Sequence, residues 1–112
     1  SKVSLDQAET EILNFLKTHT LAQKSPICGN SIAQDRMFLR KHMPLIHDYL
    51  HYRMIDVSTF KELIKRWYPN GPGAPQKSNN HRALDDILES INELRFYRDN
   101  FMLTPLAETQ EK

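Results

Sequence analysis

Apolar positions recur at helical spacing along most of the chain, interrupted by two short apolar runs and one long loop. Ser4-Leu5-Asp6-Gln7 reads as a capping box, with Ser4 as N-cap and Gln7 three residues on. Leu5, Ala8, Ile12, Phe15 and Leu16 follow on one helical face, and this helix is expected to fade between Thr18 and Thr20. Lys24-Ser25-Pro26 reads as a loop, and Pro26-Ile27-Cys28-Gly29 as a short buried strand. Asn30 or Ser31 can cap the next helix, whose shared face carries Ile32, Asp35, Phe38, Leu39, His42 and Met43. Pro44 either ends that helix or starts a short further turn with Leu45, Ile46, Tyr49 and Leu50, since proline is excluded from helix interiors but suits a first position. Tyr52 to Asp56 is a second short strand.

Thr59 and Glu62 pair as another capping box, and Phe60, Leu63, Ile64 and Trp67 give a strongly amphipathic helix. Tyr68 to Asn80 holds three prolines and two glycines, so it is a loop, long enough to suggest function. The last helix is expected from about His81 to Phe101, with Leu84, Ile87, Leu88, Ile91 and Leu94 facing the core, before a polar tail from Thr104 to Lys112. Two strands joined by a helix suggest a right-handed parallel βαβ unit. Two strands alone are a poor sheet, and parallel sheets are covered on both faces. The pattern is therefore α/β, mostly helical with two short parallel strands, one side of a domain whose other strands lie outside these residues.

Composition narrows the function classes. The 112 residues suit one domain with a modest core. Fifteen basic and 14 acidic residues leave a formal charge of +1, which argues against tracking long DNA or RNA but allows a ligand with one or a few phosphates. No apolar run approaches the roughly 20 residues that span a bilayer, so no membrane partner is expected. No signal peptide or transit segment is recognised at the start. The single cysteine, Cys28, leaves no internal disulfide or multi-cysteine zinc site, which points to a reducing, cytoplasmic setting.

Three clusters can carry chemistry. Cys28 to Asp35 is a strand end turning into a helix, where ligands gather in open α/β sheets; otherwise it is a helix start with a solvated Asp35. His51-Tyr52-Arg53 with Asp56-Val57-Ser58 offers a guanidinium suited to bidentate phosphate binding and a hydroxyl near a helix start; otherwise it is a strand with a surface Arg53 and a capping Ser58. His81-Arg82-Ala83-Leu84-Asp85-Asp86 places a possible general base beside carboxylates that suit Mg²⁺ or Mn²⁺; otherwise the acids simply complement a helix dipole. His47 and His51, four apart, have the spacing of helical zinc ligands but no obvious third ligand. Trp67 and the aromatic residues of the last helix read as core, and Met37, Met43, Met54 and Met102 as packing residues.

Together the strings SPICGNSIAQDRMFL (Ser25 to Leu39), HYRMIDVSTFKELIKRW (His51 to Trp67) and HRALDDILESINEL (His81 to Leu94) resemble the oligoribonucleases of the DEDDh exonuclease superfamily, in order and spacing. The resemblance runs from about Leu5 to Phe101. It implies a ribonuclease H-like fold and stepwise 3′-to-5′ removal of 5′-mononucleotides from very short RNAs, ending with dinucleotides. It also implies two divalent metals, Mg²⁺ or Mn²⁺, held by four acidic residues for two-metal hydrolysis. By position, Asp35 and Asp86 match two of these acids, and His81 matches the histidine that activates water. Helical spacing alone pairs His81 with Asp85; the family pattern selects Asp86, with Asp85 as a neighbour. Ser31, Arg53 and Ser58 match a cap on the substrate's 5′ phosphate, which Tyr52 reaches from the partner subunit of a homodimer. A phosphate gripped at a fixed distance from the metals rewards a short substrate.

The chain departs from the family in one respect. The first family motif, Asp-x-Glu on the first strand, does not occur in it. The family's first three strands also find no counterpart, so residues 1–112 are expected to be the C-terminal portion of a single exonuclease domain. Two carboxylates neutralise two hard cations poorly, so the expectation is that these residues alone are inactive and, with an open apolar edge at Pro26 to Gly29, unstable. The alternative is a non-catalytic helical interaction module derived from a nuclease; a DNA-binding regulator fits poorly, since no helix-turn-helix pattern is present.

Overall fold

The computed structural model describes residues 3–76 and 82–103. The elements in chain order are α1 (Leu5–His19), β1 (Ile27–Gly29), α2 (Ala33–His42), α3 (Pro44–Tyr49), β2 (Met54–Asp56), α4 (Val57–Trp67) and α5 (Ala83–Phe101). They fall into two compact units, Ser1–Asp56 and Val57–Lys112.

In the first unit, Ser4 caps α1 as its sequence predicts: its hydroxyl accepts from the Gln7 amide at 3.1 Å. The helix ends at Thr20, whose amide and hydroxyl both donate to the Leu16 carbonyl. α3 packs against both α1 and α2. Pro44 starts α3 at a position where no backbone donor is needed. β1 and β2 pair in parallel, with Ile27 opposite Met54, Cys28 opposite Ile55 and Gly29 opposite Asp56. The strands are shorter than the two runs expected from the sequence, but their relation is the expected one.

Three expectations for this unit need correction. Neither Asn30 nor Ser31 caps α2: the cap residue is Ile32, with no side-chain cap bond. Ile32 is instead buried. It lies so close to β1 that a Cβ on Gly29 would come within 2.8 Å of its Cγ2, which is why a residue without a side chain ends the strand. On α1 the predicted stripe is not the buried one. Leu5, Ile12 and Phe15 are exposed, while Glu9 is 5% exposed and its Oε2 accepts from the amides of Leu45 (2.7 Å) and Ile46 (3.1 Å). An acid thus satisfies two N–H groups that open α3 and have no partner within that helix. Of the methionines, Met43 is buried, but Met37 and Met54 are exposed, as is Met102 of the second unit.

In the second unit, α4 packs on α5. Val57, Ile64 and Tyr97 form the buried cluster, with Phe60, Ala74, Leu94, Phe96 and Phe101 against it. The loop after α4 folds back onto this core: Ala74 joins it, and Tyr68 meets Phe101 at 5.1 Å between ring centroids. α4 starts directly from β2, two residues before Thr59, so Thr59 lies inside the helix; Glu62 pairs with Arg66 one turn on. Trp67, expected in the core, is 67% exposed. The expected core row of α5 is likewise displaced. Leu84, Ile87, Leu88 and Ile91 are exposed, and the helix buries Glu93 and Tyr97, the tyrosine hydroxyl donating to Glu93 Oε2.

Candidate functional site

The parallel register places the carboxyl end of β1 beside that of β2. Here Ser31 adopts a left-handed backbone, φ 51°, a conformation that costs a non-glycine residue roughly 1–2 kcal/mol. Its amide is held at 2.9 Å by Asp56 Oδ1, the residue that ends β2. Asp56 therefore fixes the turn between β1 and α2. It was singled out by the sequence only as part of a cluster, because its role comes from pairing across the strands and not from a local motif. Ser31 is exposed at this turn, and Asp35 is exposed in the first turn of α2 that follows.

Arg53 lies just before β2, at the other end of the strand pair from Ser31. It precedes Asp56 by three positions, roughly 10 Å of strand backbone. A ligand touching both Ser31 and Arg53 must be met by an extended arginine side chain. The guanidinium is exposed and sits 5.1 Å from the centre of the Tyr52 ring, a cation–π distance. Tyr52 also stacks on His51 at 4.6 Å and 22°, yet remains 69% exposed. The backbone here is fixed at several points. The His51 amide donates to the Ser25 carbonyl at 3.0 Å, the Arg53 amide to His51 Nδ1 at 3.0 Å, and Arg36 Nη1 on α2 to the Arg53 carbonyl at 3.4 Å. Neither His51 nor Arg36 was assigned a positioning role from sequence.

The remaining candidates lie in the second unit. Ser58 is the second residue of α4, half-buried, two residues after Asp56 along the chain. Asp85 and Asp86 lie in the first turn of α5, and Asp86 is the exposed one of the pair. That helix begins at Ala83 with Arg82 as its cap residue, later than the sequence suggests; His81 lies outside the described residues.

Asp35 and Asp86 are hard oxygen donors of the kind Mg²⁺ and Mn²⁺ prefer, so they fit such ions in kind. Among the described residues, no group of three His, Cys, Asp or Glu side chains gathers as a metal site. His51 Nδ1 is engaged by the Arg53 amide and His47 Nδ1 by Asp48, 3.2 Å away. Cys28 is exposed although its strand was expected to be buried; partial desolvation first, and the Asp56 carboxylate second, push its thiol pKa above the ordinary range, so it is a poor nucleophile.

Residues 2–94 match the exonuclease (RNase T) family, and the chain belongs to it. Within that class, the similarity is to proteins named oligoribonucleases. The chain is 53% identical to the oligoribonuclease of Thiobacillus denitrificans over 91% of its own length and 56% of that protein's. It is 50% identical to a probable oligoribonuclease of Caenorhabditis elegans, over 97% of the chain and 56% of that protein. It is 51% identical to the mitochondrial oligoribonuclease of Mus musculus, over 100% of the chain and 48% of that protein. The chain thus spans about half the length of the relatives it matches. Among the described residues, no helix is long and apolar enough to cross a membrane.

Proposed function

We propose that these residues form part of a metal-dependent 3′-to-5′ exoribonuclease that converts very short RNAs, down to dinucleotides, into 5′-mononucleotides. The observation that carries this reading is the family match over residues 2–94, a range within which Asp35, His81 and Asp86 fall. The naming of the relatives as oligoribonucleases supports the short-RNA substrate.

In this reading Arg53 takes the substrate's 5′ phosphate through two parallel N–H···O bonds, while the hydroxyls of Ser31 and Ser58 donate to the remaining oxygens. Asp56 places a carboxylate at the Ser31 end of the strands, so the attraction for the phosphate comes from Arg53, reaching along β2 from the other end. Tyr52, exposed in its own chain, reaches the phosphate of the partner subunit in a homodimer. Asp35 and Asp86 would hold divalent metal ions, Mg²⁺ or Mn²⁺, in concert with further acids. When bound, those ions supply Lewis acidity towards the scissile phosphate. His81 receives the proton of the attacking water. A cytoplasmic location accords with the single cysteine.

The test is titration of a 5′-phosphorylated diribonucleotide into the chain, with Arg53→Ala alongside. Loss of a charge-assisted bidentate contact is expected to weaken binding at least about tenfold. Equal binding by parent and variant would remove Arg53 from the site.

A further inference from the structure

His51 carries chemistry that the residues assigned so far leave unused. Its amide is tied to the Ser25 carbonyl at 3.0 Å, so the residue is anchored to the segment that leads into β1. Its ring is half-buried and stacked on Tyr52 at 4.6 Å and 22°. Its Nδ1 accepts the backbone N–H of Arg53 at 3.0 Å. A ring nitrogen can accept only when it carries no proton, so this contact selects the neutral tautomer protonated on Nε2. One side chain therefore meets two of the four residues expected to touch a 5′ phosphate, Arg53 in its own subunit and Tyr52 towards the partner's. It sets the backbone from which Arg53 projects and supports the face of the Tyr52 ring, beside which the guanidinium lies at 5.1 Å. Arg36 fixes the next peptide, donating to the Arg53 carbonyl at 3.4 Å.

We propose that His51 is a positioning residue for phosphate recognition: by accepting the Arg53 amide it aims the guanidinium, and it acts through Arg53 without touching the ligand. The inference rests on Arg53 being the phosphate-binding cation. An arginine at the end of a long flexible stem recognises a phosphate with geometric selectivity only if its backbone is held, since the cost of ordering the side chain otherwise offsets the contact.

Two substitutions separate the two contacts His51 makes. His51→Phe keeps a stacking ring and removes the acceptor; His51→Asn removes the ring and returns an oxygen acceptor near the Nδ1 position. Binding is read by NMR titration of the full chain in EDTA, with the folded state of each variant judged from the same spectra. The ligands are a 5′-phosphorylated diribonucleotide and the same diribonucleotide without the 5′ phosphate. His51→Phe is expected to bind the phosphorylated ligand about tenfold more weakly and the unphosphorylated one as the parent does, while His51→Asn recovers most of the loss. Unchanged binding by His51→Phe, an equal loss for both ligands, or a loss in His51→Asn as large as in His51→Phe would each overturn the proposal. Arg53→Ala, run in parallel, distinguishes the failures. If it alone discriminates the ligands, only the role of His51 falls; if it does not, the assignment of the phosphate site falls with it.

Discussion

Among the described residues each of the two units buries one glutamate, and the two solve the same problem differently. Glu9 and Glu93 are both 5% exposed. Glu9 takes its donors from the backbone of α3, 36 and 37 residues away. Glu93 takes the hydroxyl of Tyr97, one turn along the same helix. The first arrangement exists only when α1 and α3 are docked, so the acid both selects and stabilises that docking. The second is nearly complete once α5 forms, and its partner brings an aromatic ring into the core with Val57 and Ile64. The first unit therefore depends on a long-range polar staple, and the second on aromatic packing that carries a local polar pair.

The largest expected effect comes from removing the staple. Glu9→Ala leaves the Leu45 and Ile46 amides without their acceptor at the start of α3, with an expected loss of about 2–4 kcal/mol in denaturant unfolding. Glu9→Gln keeps a neutral acceptor and should lose roughly half as much. Hydrogen exchange locates the effect: the Leu45 and Ile46 amides should lose protection in Glu9→Ala, while the Tyr97 and Ile64 amides hold theirs. A loss below about 1 kcal/mol would mean that apolar contacts at Ile46 and Met43, not the acid, hold α3 in place.

The corresponding change in the second unit is Tyr97→Phe, which removes one donor from Glu93 and keeps the ring; about 1–2 kcal/mol is expected. Its pH signature separates the units further. Burial first, and then the hydrogen bond to Glu93 and the charge of that carboxylate, raise the Tyr97 pKa above its ordinary value. A raised folded-state pKa contributes stability that is full below the unfolded value, about 10 for tyrosine, and is lost as pH climbs from there towards the folded value. Unfolding curves between pH 8 and 12 should show the parent weakening above pH 10 and Tyr97→Phe weakening less. Parallel curves for the two proteins would show that neither burial nor Glu93 raises the pKa of the phenol.

The same comparison explains what was legible in the sequence. Element types and order follow from apolar spacing, the Ser4 cap and Pro44, and the parallel strands follow from short apolar runs joined by a helical stretch. The buried faces do not follow, because periodicity equates apolar with buried. α1 and α5 each bury an acid, while Ile12, Phe15, Leu84 and Ile87 stay exposed. For α1 the partners of the carboxylate lie on α3, and only the folded chain shows them; for α5 the partner, Tyr97, lies one turn along the same helix and enters the core with it. The site was legible to the same depth. Ser31, Asp35, Tyr52 and Arg53 are marked by family-like strings. The left-handed turn at Ser31, the grip of Asp56 on it and the hold of His51 on Arg53 arise from register and local backbone geometry.

The smallest expected effect tests the reach of Asp56. The chain has one cysteine, so thiol chemistry reports on the first unit alone. Burial is the larger cause of the raised Cys28 pKa, and the Asp56 carboxylate is the smaller one. Asp56→Asn removes that charge but keeps an oxygen to accept the Ser31 amide, so the turn should survive. The thiol pKa should then fall slightly, and alkylation by iodoacetamide at pH 7.5 should speed up by about twofold, as the thiolate fraction rises. The Ser31 amide should keep its chemical shift and exchange protection. A much larger acceleration, accompanied by loss of that protection, would mean that the charge of Asp56, and not its geometry, holds the turn. The first unit would then depend on charged staples at both α3 and the strand ends. An unchanged rate would leave burial as the sole restraint on the thiol.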